Sequence, residues 1–149
     1  MQIIQFSILI NADKRRVWHT MLEDKTYREW TKAFHAGSHY EGSWSKGSEI
    51  HFIAASEEGK LEGMFSKVKE NDVYEFISLE HLGIIRNGVV DTTSDEVKKW
   101  APSFENYTFT DNGDKTELKV EMQVEEEYKK MFDEMWPRAL KALKTLCES

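Results

Sequence analysis

The 149-residue sequence contains one cysteine, Cys147, and two prolines, Pro102 and Pro137. A lone thiol excludes an internal disulfide framework and fits a reducing compartment, so a cytoplasmic setting is expected. No Pro- or Gly-rich linker, repeat or low-complexity run interrupts the chain. Residues 1–149 therefore read as a single domain, long enough to bury a core without the help of a metal or a disulfide. Long apolar runs are missing too: stretches such as Ile8-Leu9-Ile10 fall far short of the roughly 20 residues a membrane helix needs. Mean hydropathy is −0.62, and membrane insertion is not expected. The start, Met1 to Phe6, lacks the basic residues, apolar stretch and cleavage site of a signal peptide and reads as a first strand. Basic residues are in the minority, 20 Lys and Arg against 27 Asp and Glu, giving a net charge of −7. That balance argues against a nucleic-acid partner, because little is available to neutralise phosphates.

What the chain has in quantity is bulky apolar surface: five Trp, five Tyr, eight Phe and six Met. Phe6, Ile8 and Ile10 alternate through residues 3–10, the pattern of a half-buried strand. Asp13 then stands where a cap is needed for a helix with Val17, Trp18, Met21 and Leu22 on one stripe and Lys14, Arg15 and Arg16 in solvent. Asp24 is placed to cap a second short helix carrying Tyr27 and Trp30. From residue 40 the chain turns to short segments separated by Lys46-Gly47, Glu58-Gly59, Asn71-Asp72, Asn87-Gly88 and Asp111 to Asp114. Such punctuation predicts an antiparallel meander, with strands near 49–55, 61–70 and 73–82 and a hairpin of 104–110 with 115–124. Parity between Glu75 and His81 is ambiguous, which points to a bulge.

Residues 125–147 place Tyr128, Met131, Phe132, Met135, Ala139, Leu140, Leu143 and Leu146 on one stripe of a long amphipathic helix. Pro137 lacks an amide hydrogen and opposes the carbonyl of Asp133, so a kink or restart is expected there.

A strand, two short helices, several antiparallel strands and a long closing helix is the element order of the helix-grip fold, an α+β arrangement in which a curved sheet wraps the C-terminal helix. The segments Ile10-Asn11-Ala12-Asp13, Val17-Trp18, Met21-Leu22, Asp24 and Trp30 resemble the opening signature of the START-like (SRPBCC) superfamily. The similarity is to the branch related to the C-terminal domain of the activator of Hsp90 ATPase. It extends through Gly42, Gly47, the Ile50/Phe52 strand, Gly63, Lys115 to Leu118 and Trp136-Pro137 with Leu140 and Leu143. This resemblance implies a fold and, through relatives, ligand binding, chaperone contact or cavity catalysis of the cyclase or hydrolase type. Residues 84–99 look like an insertion, in which Thr93 or Ser94 caps a short helix serving as a lid or an edge cover.

Motifs for chemistry are sparse. His35 and His39, with Glu41 nearby, have helical spacing but lie around Gly37-Ser38 in a loop, too little for a metal site. Cys147 reads as a packing residue. Of the adjacent pair Glu80-His81 only one can face inward, and with Tyr107 these are the acid/base groups that a cavity enzyme would use; no nucleophile or phosphate motif accompanies them. The informative set is Phe34, Trp44, Phe52, Met64, Phe76, His81, Trp100, Tyr107, Met131 and Met135, drawn from the elements expected to face the space between sheet and helix. These are the expected contacts for a small hydrophobic or aromatic ligand, held without cofactor or metal, while Trp18 and Trp30 hold the fold. The sequence leaves a monomer and a weak dimer equally open.

Overall fold

Strand β1, Gln2–Ile10, alternates as its sequence dictates: Ile4 and Ile10 are buried, Phe6 and Ile8 half-buried, and Ile3, Gln5, Ser7 and Leu9 exposed. The structure, a computed structural model, describes residues 1–56 and 58–149. Asp13 ends the strand in an extended conformation and its side chain accepts the Arg16 amide at 2.8 Å, capping helix α1, Lys14–Leu22. Helix α2, Asp24–Trp30, follows at once, and a single turn of tighter helix, Thr31–Ala33, extends it. Asp24 is not the cap expected of it. It is the first helical residue and pairs with Arg28 at 3.1 Å, one turn on. Nor are Lys14 and Arg16 free in solvent, since Lys14 pairs with Glu75 at 2.7 Å and Arg16 donates to the carbonyls of Cys147 and Ser149.

The sheet comprises β2 (His39–Gly42), β3 (Glu49–Ala55), β4 (Leu61–Asp72), β5 (Phe76–Arg86), β6 (Val89–Asp91), β7 (Ser103–Asn112) and β8 (Lys115–Val124), together with β1. All neighbours pair antiparallel in the order β1-β8-β7-β5-β4-β3-β2, with β6 beside the far end of β5. Strand β2, around His39, was not apparent in the sequence. Two irregularities interrupt the β4/β5 ladder: Phe65 and Ser66 pair with Gly83 and His81, leaving Leu82 unpaired, and Val68 and Glu70 pair with Leu79 and Ser78. The first bulge lets His81 face inward beside Ser66 while Gly83 faces the other way with Phe65.

Helix α3, Asp95–Lys98, lies in the inserted segment and is capped by Ser94, as expected. Helix α4, Glu126–Glu148, closes the chain and packs on β1, α1, α2 and the tight turn. It runs through Pro137 without the restart that the missing amide suggested. Gly63 marks a place where β3 and β4 leave no room for a side chain: a Cβ there would lie 1.8 Å from the Phe52 carbonyl oxygen. Gly63→Ala is therefore expected to lower stability by about 3 kcal/mol, through forced separation of the two strands. Denaturant unfolding checks this, and a loss under about 1 kcal/mol contradicts the tight pairing.

Candidate functional site

The inward face of the sheet has two unlike halves. At the end of β1, along β8 and under the second half of α4 it is sealed, with Ile10, Leu118, Val120, Ala139 and Leu143 all 0% exposed, although Phe6 and Ile8 of β1 are half-buried. Over β3, β4 and the far end of β5 the inward residues Phe52, Met64 and Ile84 remain half-buried. The same division runs along α4. Its C-terminal half buries Trp136, Ala139, Leu140, Leu143 and Cys147, whereas Tyr128 and Met131 near its start are 45% and 39% exposed. The apolar stripe of α4 is thus covered only at one end.

A chain of hydrogen-bonded polar side chains crosses the boundary between these halves. The Ser66 hydroxyl lies 2.6 Å from His81 Nδ1, and His81 Nε2 lies 3.1 Å from Glu105 Oε1. The Tyr107 hydroxyl donates to the other carboxylate oxygen, Glu105 Oε2. Register explains the assembly. Ser66 on β4 pairs with His81 on β5, and Glu105 and Tyr107 occupy alternate positions on β7 opposite Leu79 and Ile77. His81 Nε2–H donates to Glu105, so the ring bridges the Ser66 hydroxyl and the carboxylate. The side chains of His81 and Glu105 are 9% and 13% exposed, so solvent still reaches both beneath the helices. Ser66 is 0% exposed and serves to orient the imidazole, not as a nucleophile.

Aromatic rings frame this chain. Phe52 lies 6.2 Å from the His81 ring and 6.2 Å from Tyr27, which in turn is 5.0 Å from Tyr40 and 6.4 Å from Trp44. Tyr40 Oη and Trp44 Nε1 both donate to the Leu22 carbonyl, at 2.6 and 3.0 Å, and so satisfy an orphan acceptor at the end of α1. Those bonds fix the two rings against Tyr27. Trp136 joins α4 to the group, with ring centres 4.8 Å from Phe34 and 6.2 Å from Tyr107.

Of the residues singled out in the sequence, Phe34, Trp44, Phe52, His81 and Tyr107 meet in or beside this cluster. Met64 shares the inward face as the partner of Phe52, and Met135 is half-buried on α4. Three lie elsewhere. Phe76 alternates with inward-facing Ile77 and takes the opposite face, Met131 is exposed, and Trp100 belongs to the segment leading into β7. Glu80 also alternates away from His81. Absent from that selection are Ser66, Tyr27 and above all Glu105, on which the polar chain converges. His35 and His39 turn their Nδ1 atoms to the neighbouring carbonyls of Ala36 and Gly37, at 2.6 and 3.0 Å.

Thr92 of the inserted segment lies away from this cluster, while Glu96 of α3 comes near enough to Tyr128 of α4 to act on it electrostatically. A depression of about 450 Å³ is formed where Thr92, Ala101 and Pro102 meet Glu49, Phe65, Lys67 and Leu82. Phe65 is on the face opposite Ser66 and stacks edge-on with His51 at 5.2 Å, so this hollow is on the outer side of the sheet. We place the chemistry on the inner side, because that is where buried polar groups converge; the outer hollow is wide and carries one exposed Lys and one exposed Glu.

Burial and the adjacent Glu105 carboxylate push the Tyr107 phenol well above its ordinary value, and burial first and then Glu105 also raise that of Tyr27. A raised folded-state value means that the contribution of Tyr107 to stability is fully present below about pH 10 and is lost as pH rises from there. Wild-type stability is expected to fall by about 1.4 kcal/mol per pH unit more steeply than that of Tyr107→Phe above pH 10. Urea midpoints between pH 9 and 11 measure the difference; parallel slopes contradict a buried phenol on Glu105.

No family model matches the sequence, and no curated protein does. Solved structures do. Protein MLL2253 from Mesorhizobium loti superposes with a TM-score of 0.71 at 12% identity, over 99% of this chain and 97% of that one. Protein NE0264 from Nitrosomonas europaea gives 0.72 at 10% identity, over 98% and 94%. ChR145 from Cytophaga hutchinsonii gives 0.72 at 16% identity, over 99% and 94%. At 10 to 16% identity the likeness establishes the fold alone. That fold is the helix-grip arrangement, an antiparallel sheet closed by a long C-terminal helix.

Proposed function

We propose that the protein binds a small apolar or aromatic molecule on the inward face of β3, β4, β5 and β7, beside the Ser66–His81–Glu105–Tyr107 chain. One observation carries this reading: a buried carboxylate and imidazole that solvent still reaches, next to half-buried Phe34, Phe52, Met64 and Met135. A core built only for stability is filled by apolar groups, as the β1/β8 half is, because a buried ion pair rarely outweighs its desolvation. Apolar walls with a few convergent polar groups are what a small-molecule site requires. Met64 and Met135 are flexible enough to make room for a guest. Within the helix-grip proteins we assign the chain to the START-like (SRPBCC) superfamily, in the branch related to the C-terminal domain of the activator of Hsp90 ATPase, on the residues Ile10 to Asp13, Val17-Trp18, Trp30 and Trp136-Pro137.

Titration with the neutral fluorescent dye Nile red tests the reading. A dissociation constant near micromolar, about 8 kcal/mol, is expected for a guest that removes a few hundred square ångströms from water. Met135→Trp is expected to fill the space and abolish binding with the sheet intact by circular dichroism, while changes at His35 and His39 leave binding unaltered. Absence of dye binding to the wild type, or normal binding to Met135→Trp, contradicts the proposal.

A further inference from the structure

Glu105 is the unusual member of the site. Lys14, Arg28, Lys32, Lys46, Lys60, Arg86, Lys129 and Lys144 all hold ion pairs near the surface, yet among the described residues the only ion-pair partner of Glu105 is the His81 imidazole. That imidazole makes one hydrogen bond to Glu105, and the Tyr107 hydroxyl brings a dipole and no charge. A carboxylate accepts about four hydrogen bonds and this one receives two. An anion sheltered from water with acceptor positions left unfilled is costly, and a guest that brought a cationic donor to them would offset that cost.

The surroundings favour the same guest. Tyr107 bonds the carboxylate, Tyr27 feels its charge and Phe52 lies against His81 and Tyr27, and an ammonium within about 6 Å of such a ring centre is attracted by it. The Tyr27 phenol lies close enough for Glu105 to act on it electrostatically. An anionic guest meets repulsion from Glu105, and a neutral alcohol gains one hydrogen bond without the charge. The net charge of −7 draws cations towards the protein in general, whereas only Glu105 combines that sign with burial on the inward face.

We propose that this site selects an organic amine, its protonated nitrogen against the Glu105 carboxylate and its apolar body on Phe52 and the neighbouring rings. This assignment of ligand class rests on the binding reading above. It makes Glu105 the specificity-determining residue and His81, held by Ser66, the group that positions it.

Displacement of Nile red by three guests of one shape tests it: 4-phenylbutylamine, 4-phenylbutan-1-ol and 4-phenylbutyrate. With wild-type protein the amine is expected to displace the dye at a concentration about tenfold below that needed for the alcohol, with the carboxylate weakest. In Glu105→Gln the amine and the alcohol are expected to displace the dye at equal concentrations, each referred to the Nile red affinity measured for that variant. Equal displacement by amine and alcohol in the wild type overturns the amine assignment and leaves the binding site standing. An amine preference that survives in Glu105→Gln also overturns it, by assigning the selectivity to another acid. Failure of Nile red to bind the wild type overturns the binding reading and the amine with it. The wild-type series decides alone if Glu105→Gln does not fold.

Discussion

Trp136 is the side chain on which the closing helix is seated. It is 3% exposed, its Nε1 points to Met122 Sδ at 3.1 Å, and its ring lies within 6.2 Å of Phe6, Trp30, Phe34 and Tyr107. Those partners belong to β1, α2, the turn after it and β7, so one indole ties together the sheet and both helical layers. The Trp30 indole is itself fixed, donating to the Met21 carbonyl at 3.0 Å. Removing so many apolar contacts from a closely packed interior costs about 3 to 5 kcal/mol, a large share of the stability of a domain this size.

Seating α4 on β1 and the two early helices leaves the far half of the inward face less covered. The ends of the helix are fastened over β1 by polar contacts: Gln2 donates to Glu126, Lys144 donates to the Leu9 carbonyl, and the Asn11 amide donates to Glu148. Among the described residues no hydrogen bond ties the start of α4 to β3 or β4, and Met131 stays exposed. Tyr107 stands at the junction, touching Trp136 on one side and Glu105 on the other. The packed half of the molecule therefore fixes the geometry of the polar half, which gives the Ser66–His81–Glu105 chain a rigid support.

Much of the architecture was legible because periodicity and caps report backbone geometry directly. The β1 alternation, the Asp13 and Ser94 caps, the β7/β8 hairpin and the extent of α4 all follow from local patterns. A bulge was expected between Glu75 and His81, but the positions of the two irregularities, at Leu82 and near Lys69, were not legible, since they arise from how β4 and β5 pair and not from either strand alone. Glu105 was missed for a different reason: a charged residue on a strand is normally solvated. A signal was nevertheless present, because Glu105 shares parity with Tyr107 and Phe109, so an inward Tyr107 carries Glu105 inward with it. The same rule separates Phe76 from His81, which lie five positions apart on one strand. Short β2 and the path of the inserted segment depend on contacts distant in sequence and left no local trace.

The account turns on which face of the sheet receives the guest, and amide and side-chain chemical-shift mapping during Nile red titration answers that directly. Shifts are expected to concentrate at Phe52, His81, Glu105, Tyr107 and the Trp136 indole, with little change at Phe65, Thr92 and Ala101. Shifts confined to Phe65, Thr92 and Ala101 would place the guest in the outer depression and contradict a site between the sheet and the closing helix.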